Sequence, residues 1–180
     1  MRIVQEHSAG LVIDIQERLL PHIHEYEQLV RNTGILIDGL KALGIPLLLT
    51  EQYSKGLGET VPVIRQHFDR FDPMEKTAFS CCDDPHFILK LNNLSKKNVI
   101  ICGIEAHVCV LQTVIDLLED GFQPVVVQDC ISSRKLSDKL IAVQRMQQEG
   151  ALITSYESIL FELARVSGNE TFKTISRLVR

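Results

Sequence analysis

The sequence predicts a doubly wound α/β domain, a mostly parallel sheet of about six strands with helices packed on both faces. Three observations carry this expectation. Short, continuously apolar runs alternate with amphipathic stretches along all 180 residues. Runs that are apolar at consecutive positions, rather than at alternate ones, belong to strands buried on both faces. Strands separated by helices join in parallel through right-handed crossovers.

The first strand is Ala9-Gly10-Leu11-Val12-Ile13, ending on the carboxylate of Asp14. From Glu25 to Leu43, apolar residues fall at helical spacing (Leu29, Val30, Ile35, Leu36, Leu40, Leu43), and Gly44 stops the helix. Pro46 to Thr50 is a second buried strand. Glu51 to Pro73, rich in Gly, Pro and charge, reads as a long loop with one helical turn around Ile64 to Phe68. Lys76 to Phe79 is a short strand. Asp83 or Asp84 caps a helix running to Leu94, with Pro85 at its first position. Val99 to Gly103 is a strong strand, and Ala106 to Asp120 a helix stopped by Gly121. A strand from Pro124 to Asp129, a helix from Ser137 to Gln148 ended by Gly150, and a strand from Ala151 to Thr154 follow. Ser158 to Arg165 and Thr171 to Val179 are terminal helices. No repeat, low-complexity tract or linker divides the chain, so residues 1–180 are expected to form one domain.

Composition narrows the function. A net charge of -4 with scattered Lys and Arg argues against nucleic-acid binding, which needs a basic face. Only 6% of residues are aromatic and none is Trp, which leaves little for stacking on bases or sugars. No apolar stretch approaches the roughly 20 residues that cross a bilayer, and the N-terminus lacks the features of a signal or transit peptide. The expected partner is a small-molecule substrate, and the expected compartment the cytoplasm. Five cysteines without a CxxC pair are expected to be reduced, most of them as small core residues. Cys81-Cys82 reads as a pair of loop residues, because a bridge between neighbours is strained. The six histidines match no ligand spacing, so no metal and no cofactor are expected.

In a doubly wound sheet the chemistry sits beyond the carboxyl ends of the strands. That rule selects Asp14, the Thr50-Glu51-Gln52 segment, Lys76, Gly103 to Cys109, and Asp129. Cys109 falls in the first turn of a helix, where free backbone N–H groups favour a thiolate or an oxyanion. Spacing alone leaves it either a nucleophile or a small residue facing the sheet. Asp14 is either a general base or a capping carboxylate. Lys76 gains meaning from the other two: an ammonium near both would lower the thiol pKa. With a helix N-terminus and Lys76 nearby, the Cys109 pKa is expected below its ordinary value, although Asp14 opposes this. For Asp129, a structural role comes first.

Ile13-Asp14-Ile15-Gln16, then Lys76-Thr77-Ala78-Phe79-Ser80, then Gly103-Ile104-Glu105-Ala106-His107-Val108-Cys109-Val110 resembles the isochorismatase-like cysteine hydrolases over essentially the whole chain. The resemblance implies their Rossmann-like fold and a triad of Asp14, Lys76 and Cys109. It also implies a cis peptide at Ile104-Glu105, turning the N–H groups of Glu105 and Cys109 into an oxyanion hole. Gln16, Gln52, Phe79 and His107 would line the substrate pocket, with packing an equal reading for the last two. The metal-binding histidines of nicotinamidases have no counterpart in Thr50 to Gly58, which points to a metal-free branch.

The expectation is therefore a hydrolase cleaving a small amide through a thioester. Its rivals are a non-catalytic scaffold of the same fold, a nicotinamidase-type enzyme, and a nucleotide-binding domain, for which no GxGxxG follows the first strand. A homo-oligomer is expected, with Ile159, Leu160, Leu163, Ile175 and Leu178 of the terminal helices as surface for a second copy.

Overall fold

The computed structural model describes residues 1–180. Six parallel strands form one sheet in the order β3-β2-β1-β4-β5-β6: β1 (Ser8–Ile13), β2 (Leu47–Gln52), β3 (Met74–Lys76), β4 (Asn98–Ile104), β5 (Gln123–Ser132) and β6 (Leu152–Thr154). Every residue of β1 and of β4 is buried, as expected of central strands covered on both faces. The helices are α1 (Tyr26–Ala42), the short α2 (Ser54–Leu57) and α3 (Pro62–Arg65), then α4 (Pro85–Asn93), α5 (Leu111–Glu119), α6 (Leu136–Glu149), α7 (Tyr156–Ala164) and α8 (Glu170–Leu178). One core layer joins the sheet to α1, α3, α7 and α8; the other joins it to α4, α5 and α6.

The strand order places a topological switch between β1 and β4. From β1 the chain winds outward through β2 and β3, then returns to β4 on the other side and winds outward again. Crossovers leaving in opposite directions cannot fill the space above the carboxyl ends of β1 and β4, so a crevice opens there. Asp14 follows β1 and the Cys109 segment follows β4 at this crevice.

Several elements depart from the sequence reading, each for a local reason. Asp84, rather than Asp83, caps α4 by accepting from the N–H groups of His86 and Phe87. The third strand ends at Lys76 instead of beginning there, because β3 pairs Lys76 with Gln52 at the end of β2. β5 does not stop at Asp129. It runs to Ser132 through a bulge, since Ile101 faces Val126 but Gly103 faces Ile131. Asp129 sits in that bulge and accepts from the N–H of Tyr156 at 2.9 Å, the structural role expected of it. The segment after β2 is fastened by Glu51, which accepts from the N–H and hydroxyl of Thr60, and by α2 and α3. Ile159, Leu160, Leu163 and Ile175 are buried in the core of this same chain, so they offer no surface to a partner. The helical periodicity that marked them as apolar reflects packing on α1 and the sheet. Large exposed apolar side chains lie instead on α6: Leu136, Leu140 and Ile141.

Gly103 joins β1 to β4 at the switch. Its φ is +132°, and a Cβ there would lie 2.1 Å from the Ile13 carbonyl oxygen. Only glycine lets the two strand ends close this far. Gly103→Ala is therefore expected to cost more than about 3 kcal/mol in urea unfolding, while Gly121→Ala costs about 1 kcal/mol. Gly121 also has a positive φ of +83° but open space around it. Equal losses in the two variants would mean that φ alone, and not the close approach, requires Gly103.

Candidate active site

Three strand ends deliver three side chains to the crevice. Asp14, in the left-handed region at φ 52°, turns its carboxylate back over the sheet. Its Oδ1 accepts from the Thr50 hydroxyl at 2.8 Å, and its Oδ2 accepts from Lys76 Nζ at 2.7 Å. Both members of the pair are buried, with side-chain exposures of 1% for Lys76 and 0% for Asp14. Lys76 Nζ also donates to Gln52 Oε1 at 2.7 Å and approaches the carbonyls of Ala78 and Phe79 at 3.2 and 3.0 Å. The ammonium is thus enclosed by acceptors. Burial alone would push its pKa down, but Asp14 and the neighbouring Cys81 and Cys109 groups outweigh this and hold it above the ordinary lysine value.

Cys109 arrives on a π-helical turn, Ala106–Val110, not on the α-helix expected from the sequence; α5 begins only at Leu111. The difference changes which amides are free. In an α-helix the Cys109 N–H would bond to the Glu105 carbonyl, four residues back. Here that carbonyl accepts from the N–H groups of Val108 and Val110, at 3.1 and 3.2 Å, and Cys109 is passed over. The Ile104–Glu105 peptide is cis, and the Glu105 N–H is used by neither sheet nor helix. The Glu105 side chain bonds away from the crevice, its Oε2 accepting from the backbone N–H and the Nε of Arg134. Thr113, fully buried, donates its hydroxyl to the Cys109 carbonyl at 2.7 Å and anchors the turn.

The Cys109 thiol lies in the field of the Asp14 carboxylate, and the residue is 6% exposed. Its pKa is pushed up to about 12, first by burial and then by the negative charge of Asp14, against the opposing pull of Lys76. This reverses the expected depression. The ammonium that would favour a thiolate is already paired with Asp14, and burial together with that carboxylate outweighs it.

The remaining expected site residues separate into two groups. Gln16 is fully buried and spends its amide on the backbone: Nε2 donates to the carbonyls of Gln52 and Gly58, and Oε1 accepts from the Gln52 N–H. Gln52 spends Oε1 on Lys76 and Nε2 on the Thr77 carbonyl. Both amides are engaged within the chain, Gln16 at both of its N–H groups. Phe79 is exposed, 54%, above the lysine its carbonyl contacts, and His107 Nδ1 lies 2.9 Å from the Ser133 hydroxyl. A depression of about 420 Å³ beside Glu105 is lined by Leu19, His22, Ile23, Glu105 and Arg134. No group of three or more His, Cys, Asp or Glu side chains is arranged to hold a metal ion. Sequence reasoning passed over Thr113, four residues after Cys109 on the helix face that turns back toward it, and Arg134.

The isochorismatase domain model matches residues 8–158. The chain belongs to the isochorismatase family. Isochorismatase family protein 1B of Dictyostelium discoideum is 39% identical over 97% of this chain and 86% of its own length. Among solved structures, the MAR1 ribonuclease of Caenorhabditis elegans is 40% identical with a TM-score of 0.93, covering 99% of this chain and 92% of that one. Two YcaC proteins are each 26% identical. That of Escherichia coli, described as an octameric hydrolase of unknown specificity, has a TM-score of 0.93 over 99% of this chain and 89% of that one. That of Pseudomonas aeruginosa, solved with hexane-2,5-diol and covalent acrylamide, has a TM-score of 0.90 over 97% and 89%. Family membership and these neighbours mark the chain as a hydrolase-type protein of the isochorismatase fold.

The buried pair yields a stability prediction. Lys76→Met strands the Asp14 carboxylate without its counter-charge and is expected to cost about 3–5 kcal/mol in urea unfolding. Adding Asp14→Asn to that variant removes the stranded charge, keeps a residue tolerant of positive φ, and should recover most of the loss. A double variant as unstable as the sum of the single ones would mean that the two charges are not coupled.

Proposed function

We propose that this protein is a metal-independent cysteine hydrolase that cleaves a small amide through a thioester on Cys109. The observation that carries the reading is the meeting, at one switch-point crevice, of a thiol that burial and Asp14 hold protonated, a carboxylate with a built-in counter-charge, and a turn whose Cys109 N–H does not donate to the Glu105 carbonyl. Asp14 takes the thiol proton as the sulfur attacks the carbonyl carbon. The N–H groups of Glu105 and Cys109 receive the oxyanion. Asp14 then returns the proton to the leaving amine, and the same carboxylate activates the water that hydrolyses the thioester. Lys76 keeps its pairing throughout and balances the charge that Asp14 regains. A high thiol pKa suits this sequence, because a sulfur deprotonated only during attack is intrinsically more nucleophilic than an acidic thiolate.

The covalent acrylamide on Pseudomonas YcaC supports a reactive nucleophile in this family, since acrylamide is captured by addition to its vinyl carbon. Gln16 and Gln52 act in this scheme as positioning residues, Gln52 by fixing Lys76 and Gln16 by holding the segment after β2. Phe79, exposed next to the carbonyl that Lys76 contacts, and His107, two residues before Cys109, are assigned to the mouth of the crevice. A homo-oligomer is supported by the octameric state given for Escherichia coli YcaC and by Leu136, Leu140 and Ile141 on the outer face of α6. Five free thiols suit a reducing, cytoplasmic setting, and no helix is long and apolar enough to cross a membrane.

The test is intact mass after incubation with a panel of small amides and aldehydes. An adduct on Cys109 that is absent from Cys109→Ala, with amide turnover unchanged after exhaustive chelation, is the expected result. Turnover lost on chelation and restored by zinc would return the nicotinamidase-type reading. Cys109-dependent cleavage of RNA without amide turnover would favour the activity in the name of the Caenorhabditis relative. No adduct and no turnover would leave a scaffold. Light scattering should give a multiple of 20.3 kDa, and a monomer would refute the assembly.

A further inference from the structure

Cys81 is a nucleophile beside the site for which the proposed reaction has no use. It is fully buried, five residues past Lys76. Its N–H donates to Thr113 Oγ1 at 2.9 Å, the hydroxyl that donates onward to the Cys109 carbonyl at 2.7 Å. Its Sγ lies 3.9 Å from the Thr50 hydroxyl, which donates to Asp14, the carboxylate whose charge also acts on the Cys109 thiol. One threonine therefore ties the backbones of residues 81 and 109 together, and another links the Cys81 sulfur to the general base. The two thiols, Asp14 and Lys76 all lie in one another's field. The other cysteines are placed differently. Cys102 and Cys130 belong to the core layer on the opposite face of the sheet. Cys82 turns its sulfur to the Thr113 carbonyl, 3.9 Å away.

We propose that Cys81 is a resolving thiol for Cys109: a peroxide oxidises Cys109, and Cys81 then closes a reversible disulfide that protects the nucleophile and switches it off. In the first step Asp14 accepts the Cys109 proton and the sulfur attacks one oxygen of hydrogen peroxide. The O–O bond breaks, the departing hydroxide takes the proton from Asp14 and leaves as water, and Cys109 is left as a sulfenic acid. In the second step Asp14 accepts the Cys81 proton through the Thr50 hydroxyl, and the Cys81 sulfur attacks the Cys109 sulfur. The S–O bond breaks and the hydroxide leaves as a second water with that proton. Two thiols and one peroxide become one disulfide and two waters, with sulfur supplying both electrons that reduce the peroxide. A dithiol reverses the change by exchange. Burial of both sulfurs favours this outcome over further oxidation, because the resolving thiol is beside the sulfenic acid while bulk peroxide is not.

The test uses the full-length protein, Cys81→Ser and Cys82→Ser. Each is exposed to hydrogen peroxide, blocked with an alkylating agent, and analysed by intact mass and peptide mapping before and after dithiothreitol. Wild type and Cys82→Ser are expected to lose two hydrogens, to yield a peptide joining Cys81 to Cys109, and to regain alkylatable Cys109 on reduction. Cys81→Ser should instead gain two or more oxygens at Cys109, with on the order of tenfold more irreversibly oxidised residue than wild type. Equal alkylation of untreated Cys109 in all three proteins controls for misfolding, and unequal alkylation directs the comparison to the cross-linked peptide in wild type alone. A Cys81–Cys82 bridge, or irreversible oxidation of Cys109 that is the same with and without Cys81, would overturn the proposal. These readouts follow sulfur oxidation and not amide cleavage, so the hydrolase reading can fail without affecting them, and the reverse.

Discussion

The buried contact between Lys76 and Asp14 is the interaction on which the crevice depends. Placing an ammonium and a carboxylate out of water costs several kcal/mol per ion unless their remaining hydrogen-bonding capacity is met. Here it is met almost entirely by the fold. Thr50 from β2 takes one carboxylate oxygen, and Gln52 from the same strand takes the ammonium. The carbonyls of residues 78 and 79 then force the chain after β3 to wrap round the lysine. The strand order explains why the lysine can reach at all: β3, β2 and β1 are neighbours, so three successive strand ends lie side by side.

The Cys109 half of the crevice is built from backbone. Gly103 allows β4 to close on β1, and the segment that follows becomes a π turn rather than the first turn of an α-helix. One residue of extra slack in the hydrogen-bond ladder takes the Glu105 carbonyl from Cys109 and gives it to Val110. π turns recur at functional sites for this reason, since they release backbone groups that an α-helix would consume. Thr113 offsets the loosened ladder by holding the Cys109 carbonyl with its side chain. The result is a side-chain-anchored turn beside a thiol that burial and Asp14 keep protonated.

The central strands were legible because burial on both faces writes continuous apolar runs, as in Leu11-Val12-Ile13 and Val99-Ile100-Ile101. Asp14 and Cys109 stood out because each comes after such a run, whereas Lys76, preceded by Pro73-Met74-Glu75, gained meaning only from the other two. What escaped the sequence was set by partners distant along the chain. The partners of Gln16 and Gln52 were also hidden: the Gln16 amide bonds the backbone of Gln52, and the Gln52 amide bonds Lys76 and the Thr77 carbonyl. The terminal helices look like an interface until α1 is placed against them. The bulge in β5 and the π turn leave no periodic trace, because each inserts residues into a pattern without changing its apolar content. The thiol's pKa departs from the expectation because burial of the sulfur, and then Asp14, outweigh Lys76, and the depth of burial is not written in residue spacing.

The central claim is that the resting site holds a neutral thiol, deprotonated only when an electrophile arrives. The thiolate ultraviolet absorbance of the wild type minus that of Cys109→Ser, followed against pH in the ligand-free protein, tests it most directly. With the Cys109 pKa pushed up to about 12, largely by burial and then by Asp14, no step should appear through the neutral range. Asp14→Asn, which removes the opposing charge, should bring the step to lower pH. A wild-type step with its midpoint at or below the ordinary thiol value of about 8.5 would contradict the account and make Cys109 a standing thiolate.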